Sequence, residues 1–208
     1  MVKYVVGTAT NSNFFLQTQQ MLYSLHSQIP DGFEVMLFDN GLTPLQINIL
    51  QNNFGFCKIS IFKRHLTTYE RQSYLFKTWS HELALQKGDC IYMWLDSKTL
   101  LKFDENRILR MLEKQPVYGH IPFPQAEPLW TDKRTMDAIG LDETDRHTGQ
   151  IQASAMIFDL RMNEAQDFLN TLILLNKEKE IITPEGTSKG FNPPTHRQDQ
   201  SVFSCLMK

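Results

Sequence analysis

Cysteine is scarce in this chain, and its three copies, Cys57, Cys90 and Cys205, stand singly in apolar surroundings. No paired spacing suggests a zinc site or a disulfide framework, which points to a reducing compartment and to cysteines that serve as core residues. Long apolar runs are missing as well. None approaches the roughly 20 residues of a transmembrane helix, and no basic segment followed by an apolar one stands at the start, so a soluble, cytoplasmic protein is expected. A longer chain would add an anchor or partner domains. There is little excess charge of either sign: the net charge is −2, which removes the electrostatic case for nucleic acid or an anionic membrane as the main partner. The spaced glycines of dinucleotide and P-loop fingerprints are absent, and so are internal repeats and low-complexity linkers. What remains is 208 residues, 41% hydrophobic and 21% charged, enough for one domain over 1–208 with a full core.

The most informative stretch is Ile91-Tyr92-Met93-Trp94-Leu95 followed by Asp96-Ser97-Lys98. Five large apolar residues meeting an aspartate read as a doubly buried strand that ends at a site. In an open α/β sheet the carboxyl edge is where ligands bind. Asp96 equally suits the opening of a turn, since its carboxylate accepts from backbone N–H groups two residues on.

Strands and helices alternate around it. Lys3 to Thr8 reads as a strand, Phe14 to Ser27 as an amphipathic helix, Glu34 to Asp39 as a second strand, and Thr43-Pro44 as a capped helix start running to about Asn53. Cys57 to Phe62 is a third strand, a basic loop (Lys63, Arg64, His65) follows, and Tyr69 to Gln86 reads as one helix ended by Gly88. This βαβαβαβ pattern implies a mostly parallel sheet with helices on both faces. In the second half, Leu100 to Phe103 reads as a short edge strand, Asp104 to Lys114 as a capped helix and Val117 to Phe123 as a strand. Pro124 to Thr148 is a charged insert with short helices, Gln150 to Asp159 a strand whose early residues line something polar, and Asn163 to Asn176 a strong amphipathic helix. Thr183 to Thr195, rich in proline and glycine, is a long loop of the kind used as a lid.

Three polar clusters are candidate sites. Thr8-Ala9-Thr10-Asn11-Ser12-Asn13 places hydroxyls and amides between a strand and a helix N-terminus, where a base, ribose or phosphate fits. Asp96-Ser97-Lys98 is the second. The third, His196-Arg197-Gln198-Asp199-Gln200-Ser201, precedes the apolar run Val202 to Met207; Asp199 or Thr195 suits an N-cap there, but a cap does not require the histidine, arginine and glutamine beside it.

Taken together, the Asp96 strand end, Tyr74 with Lys77-Thr78-Trp79, the Gln150-Ile151-Gln152-Ala153-Ser154-Ala155 strand and the late His-Arg-Gln-Asp-Gln-Ser resemble nucleotide-sugar glycosyltransferases of the GT-A type. The resemblance covers most of the chain in order. It implies a GT-A-like, Rossmann-related sheet with a nucleotide-binding half (1–99) and a half for acceptor and sugar (100–208). It further implies a nucleotide-sugar donor, UDP-linked by preference, a glycan or other hydroxyl acceptor, and a divalent metal, Mn²⁺ or Mg²⁺, held by an Asp-x-Asp motif. Lys98 stands where the second aspartate belongs.

On this reading Asp96 and His196 are the metal candidates, with Lys98, Arg197 or Lys77 as the cationic alternative for stabilising the leaving diphosphate. Thr8, Ala9, Thr10, Asn11, Asp39 and Lys77 are assigned to the nucleotide, and Gln150, Gln152, Ser154, His196, Arg197 and Gln200 to the sugar. Asp199 is the candidate base, or else a sugar-hydroxyl contact, and Asp96 the second catalytic carboxylate. Trp130 and Trp79 are candidate platforms, Trp79 weighed mainly as core. A catalytically silent carbohydrate-binding domain and a sugar nucleotidyltransferase are the other classes in play; the latter calls for a Gly-rich basic loop that Thr8 to Asn13 does not supply.

Overall fold

The computed structural model describes residues 2–29, 32–100, 102, 104–120, 126–183 and 196–208. The chain opens with β1 (Tyr4–Thr10), a 3-10 turn (Ser12–Phe14), α1 (Phe15–His26), β2 (Glu34–Asp39), α2 (Pro44–Asn52) and β3 (Lys58–Lys63). Then come α3 (Thr68–Gln72), α4 (Leu75–Lys87), β4 (Ile91–Leu95), α5 (Glu105–Leu112) and β5 (Val117–His120). After a second 3-10 turn (Glu127–Leu129), the short α6 (Lys133–Ile139) and α7 (Glu143–Arg146) lead to β6 (Gln152–Asp159), α8 (Asn163–Lys177), α9 (Lys179–Ile182) and α10 (Asp199–Leu206).

The strands form one sheet in the order β3-β2-β1-β4-β6-β5. The first four are mutually parallel, and β6 runs antiparallel to both β4 and β5. That reversal matters for the site. With Leu95 opposite Ala155, the start of β6 lies beside the end of β4, and the Asp96 N–H donates to the Ser154 carbonyl at 2.9 Å.

Alternation along the strands sends side chains to two cores. Tyr4, Val6, Leu37 and Met93 meet α1, α2 and α5 through Met21, Leu22, Leu25, Leu50 and Leu112. Val5, Met36, Tyr92, Trp94 and Phe158 meet α4, α8 and α10 through Ala84, Leu169, Leu172 and Phe203. At about 1.5–3 kcal/mol per large apolar side chain removed from water, these layers dominate the stability of the fold. Gly7 lets α4 sit hard against β1: a Cβ there would lie 2.3 Å from Ser80 Oγ and 2.6 Å from the Tyr92 hydroxyl.

Several boundaries differ from the sequence reading for identifiable reasons. The expected helix from Tyr69 to Gln86 is two helices, because Thr67 and Glu70 form a capping box for α3 and Tyr74, at φ 56°, breaks the chain before α4. The helix expected from Phe14 begins as a 3-10 turn capped by Asn11, whose side chain accepts from Asn13 N. β1 runs two residues further than expected, to Thr10, because it pairs with β2 as far as Asp39. Of the expected edge strand 100–103, Leu100 and Lys102 belong to no strand and the other two lie outside the described residues, as does the lid loop 183–195 apart from Thr183.

Candidate active site

The ends of β1, β2 and β4 share one edge of the sheet, Thr10 opposite Asp39 and Gly7 opposite Trp94. Just beyond them lies a cleft of about 430 Å³, walled by Ala9, Thr10, Asn11 and Asn40 together with Arg71, Tyr74, Lys77, Asp96, Ser97 and Lys98. Asn40 and Arg71 also line a neighbouring hollow of about 440 Å³ that contains Asp39, Lys63, Arg64 and His65.

Lys77, in the first turn of α4, ties the back of the cleft together. Its ammonium lies 2.8 Å from Asp199 Oδ2 and 3.3 Å from Asp96 Oδ1, and it donates to the Ala153 carbonyl at 3.1 Å. Three donors thus meet acceptors from α10, the end of β4 and β6. Burial alone would lower the Lys77 pKa, but the two carboxylates outweigh it and hold the pKa above its ordinary value, so the group is an ammonium. Burial also raises the Asp199 carboxyl, and Lys77 opposes that rise. Trp94 Nε1 donates to the same Asp96 oxygen at 2.8 Å, which leaves Oδ2 uncommitted among the described residues on a side chain 43% exposed to the cleft.

Two residues other than glycine have positive φ among those described, Tyr74 (56°) and Gln198 (43°), and they flank this cluster on its two sides. A left-handed or otherwise unfavourable backbone costs about 1–3 kcal/mol and persists where its surroundings hold it. The strain at Gln198 bears on Asp199. Gln198 is the N-cap of α10 and makes no side-chain capping bond, so Asp199 does not cap the helix as the sequence suggested; its carboxylate turns to Lys77 instead. Thr195, the other cap candidate, is outside the described residues.

The remaining candidates divide into those at the cleft and those away from it. Ala9, Thr10 and Asn11 line it, although Thr10 Oγ1 accepts from Thr18 Oγ1 at 2.7 Å and the Asn11 side-chain oxygen is spent on Asn13 N. Thr8 is buried within β1 with no hydrogen bond to its hydroxyl among the described residues. Asp39 Oδ1 accepts from Gly41 N at 2.8 Å and Leu42 N at 2.6 Å, closing the turn, while its buried Oδ2 has only Lys63, at 3.8 Å, among the described residues. Gln152 and Ser154 bond to each other at 3.2 Å at the start of β6. Gln150 is buried and accepts from Gln200 Nε2 at 2.7 Å.

His196 does not line the cleft with Asp96. It is 1% exposed, and its Nδ1 accepts from the Asp132 N–H at 3.2 Å. Burial brings its pKa down to about 4, so the ring is neutral and Nε2 carries the proton, on the side of the Ile182 backbone. Arg197 stacks on Trp130, its guanidinium carbon 3.7 Å from the ring centre, and Arg64 stacks on Trp79 at the same distance. Of the three candidate cations, Lys98 lies at the cleft mouth, over the Phe14 ring at 4.4 Å, and Lys77 at its back. Among the described residues no three of His, Cys, Asp and Glu gather as a metal shell. The free Asp96 oxygen fits a hard cation whose other ligands are phosphate oxygens and water. Sequence reading missed Arg71, Phe14 and Trp94 as walls of the cleft; only the first carries a local signal, a positive charge on a polar helix.

A mostly parallel sheet with one reversed strand, helices on both faces and a carboxylate at the end of its central strand defines a Rossmann-related domain with a candidate site at the carboxyl edge. Sequence comparison finds no family model and no curated protein that matches the chain. Comparison of structures finds WbbM, a bifunctional glycosyltransferase, at a TM-score of 0.63 and 11% identity, covering 99% of this chain and 37% of that one. The galactosyltransferase LgtC, in complex with donor and acceptor sugar analogues, matches at 0.59 and 13% identity over 97% of this chain and 70% of its own. The glycosyltransferase GlyE of Streptococcus pneumoniae matches at 0.53 and 12% identity, with 43% of its length covered. The chain therefore spans under half of two of these proteins and about 70% of the third. It has the GT-A glycosyltransferase fold.

Proposed function

We propose that the protein is a glycosyltransferase that moves a sugar from a nucleotide diphosphate, UDP by preference, to a hydroxyl of a glycan or other acceptor. The observation that carries this reading is the Lys77 cluster: one buried ammonium holds two carboxylates, Asp96 in the wall of an open cleft on the carboxyl edge of the sheet and Asp199 buried behind it. The nucleotide would lie across the ends of β1 and β2, its base toward Asn40 and the turn that Asp39 closes, its ribose toward Ala9, Thr10 and Asn11. The diphosphate would then reach Asp96 and Lys98. A divalent cation, held through Asp96 Oδ2, would supply positive charge for the departing diphosphate. Lys98 adds a fixed cation of its own at the mouth of the cleft.

Asp199 is the proposed base. Its raised carboxyl pKa favours accepting a proton, and its 2.8 Å contact with Lys77 keeps it in place. In the transfer, the bond from the anomeric carbon to the diphosphate oxygen breaks with its electron pair going to the leaving group. The acceptor oxygen forms the new bond to that carbon and gives its proton to Asp199. The galactosyltransferase LgtC, which shares the fold, was solved with donor and acceptor sugar analogues, in keeping with a donor and an acceptor for this chain.

One observation favours a second reading, a silent carbohydrate-binding or nucleotide-sugar-binding domain: Lys98 replaces the second acidic residue of the metal motif. A sugar nucleotidyltransferase is the weaker enzyme, since Thr8 to Asn13 has neither lysine nor glycine. Incubation with a panel of nucleotide sugars separates them. Release of nucleoside diphosphate supports transfer, thermal stabilisation without release supports the silent domain, and pyrophosphate-dependent formation of nucleoside triphosphate supports the nucleotidyltransferase.

A further inference from the structure

A second buried polar cluster lies behind the cleft, where the 126–131 segment, the approach to β6 and α10 meet. At its centre is Glu127, with no exposed surface. Its Oε1 accepts from Thr131 Oγ1 and, at 3.3 Å, from Gln150 Nε2; its Oε2 accepts from Ser204 Oγ at 2.5 Å and from the Lys208 ammonium at 2.6 Å. Gln150 Oε1 in turn accepts from Gln200 Nε2 at 2.7 Å. Gln200 directly follows Asp199, and its side-chain oxygen is used by no hydrogen bond among the described residues.

Such a chain has a direction. A primary amide donates at one end and accepts at the other, and a half-turn exchanges them. A carboxylate paired with an ammonium accepts only. Gln150 must therefore turn its NH₂ toward Glu127, which sends its oxygen toward Gln200, which must answer with its NH₂. The group left over is the Gln200 side-chain oxygen.

We propose that Glu127 is a positioning residue: acting through Gln150, it fixes the orientation of the Gln200 amide so that the chain presents a hydrogen-bond acceptor in the first turn of α10, one residue after Asp199. An acceptor at that point selects a ligand that donates, as a sugar hydroxyl does. The orientation stands on the hydrogen bonds alone, whereas its use on a sugar rests on the glycosyltransferase reading.

Two substitutions test it, one removing the direction and one rebuilding it. Glu127→Gln places an amide where the carboxylate was, and the Thr131 hydroxyl, which also meets Gln150 Nε2 at 3.1 Å, can donate or accept by rotation, so either orientation of Gln150 is satisfied and the constraint on Gln200 is lost. Adding Gln150→Glu restores the direction: the amide now at position 127 donates to the carboxylate now at position 150, whose other oxygen again accepts from the Gln200 NH₂. The readouts are the side-chain NH₂ resonances of Gln200, with their hydrogen exchange, and the rate of nucleotide release from the best nucleotide sugar of the panel.

In wild type the Gln200 NH₂ exchanges slowly. In Glu127→Gln that protection falls about tenfold, and kcat falls by a similar factor with little change in KM, the size expected for one hydrogen bond of roughly 1.4 kcal/mol. The double variant regains both. A purely structural Glu127 would make the double variant worse than either single one. The proposal is overturned if Gln200 exchange is unchanged in Glu127→Gln, or if the double variant fails to fold or to recover Gln200 protection. If no nucleotide sugar is turned over by wild type, the sugar role and the glycosyltransferase reading fail together, and the resonances still decide the orientation.

Discussion

Lys77 makes the cleft electrostatically self-contained. An aspartate buried beside an ammonium can hold its charge where an isolated one would not, and losing one member of such a pair costs about 3–5 kcal/mol. Asp199→Asn is a milder change than deleting Lys77, because the amide still accepts from the ammonium, and Asp96 remains at 3.3 Å as a counter-charge. If Asp199 is the base, this variant should lose roughly 10² to 10⁴ in turnover while donor affinity persists. Transfer rate, donor titration and melting temperature measured together check this, and wild-type turnover would remove Asp199 from the mechanism. Asp96→Asn addresses the other carboxylate. Titration of the donor by calorimetry should show tighter binding with Mn²⁺ than in chelator for wild type, and no such difference for the variant. Equal binding in both for wild type would leave charge neutralisation to Lys98, whose substitution by Ala becomes the next measurement. The local sequence signalled both aspartates, each at the start or end of an apolar run. It could not signal their shared ammonium, because Lys77 lies 19 residues from one and 122 from the other, and only the fold brings all three together.

At the scale of elements, the first half of the chain was readable because each strand and helix obeys its own period and carries its own caps. Thr43-Pro44 opens α2 with a capping box completed by Gln46, as its residues suggest. The missed break between α3 and α4 has a different origin. Tyr74 is no helix breaker by type, and its φ of 56° is imposed by the surrounding fold. The direction of β6 was equally hidden, since an apolar run has the same pattern read either way, and it is that reversal that carries Gln152 and Ser154 to the end of β4. Packing between elements gives a prediction free of any functional assumption. Gly7→Ala would drive a methyl into Ser80 Oγ and the Tyr92 hydroxyl, which are hydrogen-bonded to each other at 2.9 Å and buried. We expect a loss of about 1–3 kcal/mol in chemical denaturation, the usual cost of overpacking a filled core. A stability equal to wild type would mean that α4 can ride away from β1 at no cost.

For the whole molecule, the mostly parallel sheet with helices on both faces was legible because crossover connections leave few other topologies. The split of the polar run 196–201 between two environments was not. Asp199, itself buried, pairs with Lys77 of the cleft wall, whereas His196, three residues earlier, is enclosed against Asp132 at the start of α6. That enclosure should show itself in the pH dependence of global stability. His196 is held neutral down to about pH 4 by burial, and His81, buried beside Tyr92, down to about pH 3, while in the unfolded chain each takes a proton near pH 6.5. Between those limits the unfolded state binds more protons, so stability is greatest above about pH 6.5 and falls as the pH is lowered. Each histidine contributes a slope of about 1.4 kcal/mol per pH unit within its own window. Other groups add their own pH dependence, the raised Asp199 carboxyl with the opposite sign, so the informative quantity is a difference between variants. His196→Asn keeps an acceptor for the Asp132 N–H and removes the titration. It should be less stable than wild type at pH 7.5, and the gap should close steadily as the pH falls from about 6.5 toward about 4, because only wild type then loses the neutral-imidazole contribution. Denaturation midpoints at four or five pH values suffice, and a gap that stays constant across that range would show that His196 titrates as it does in the unfolded chain.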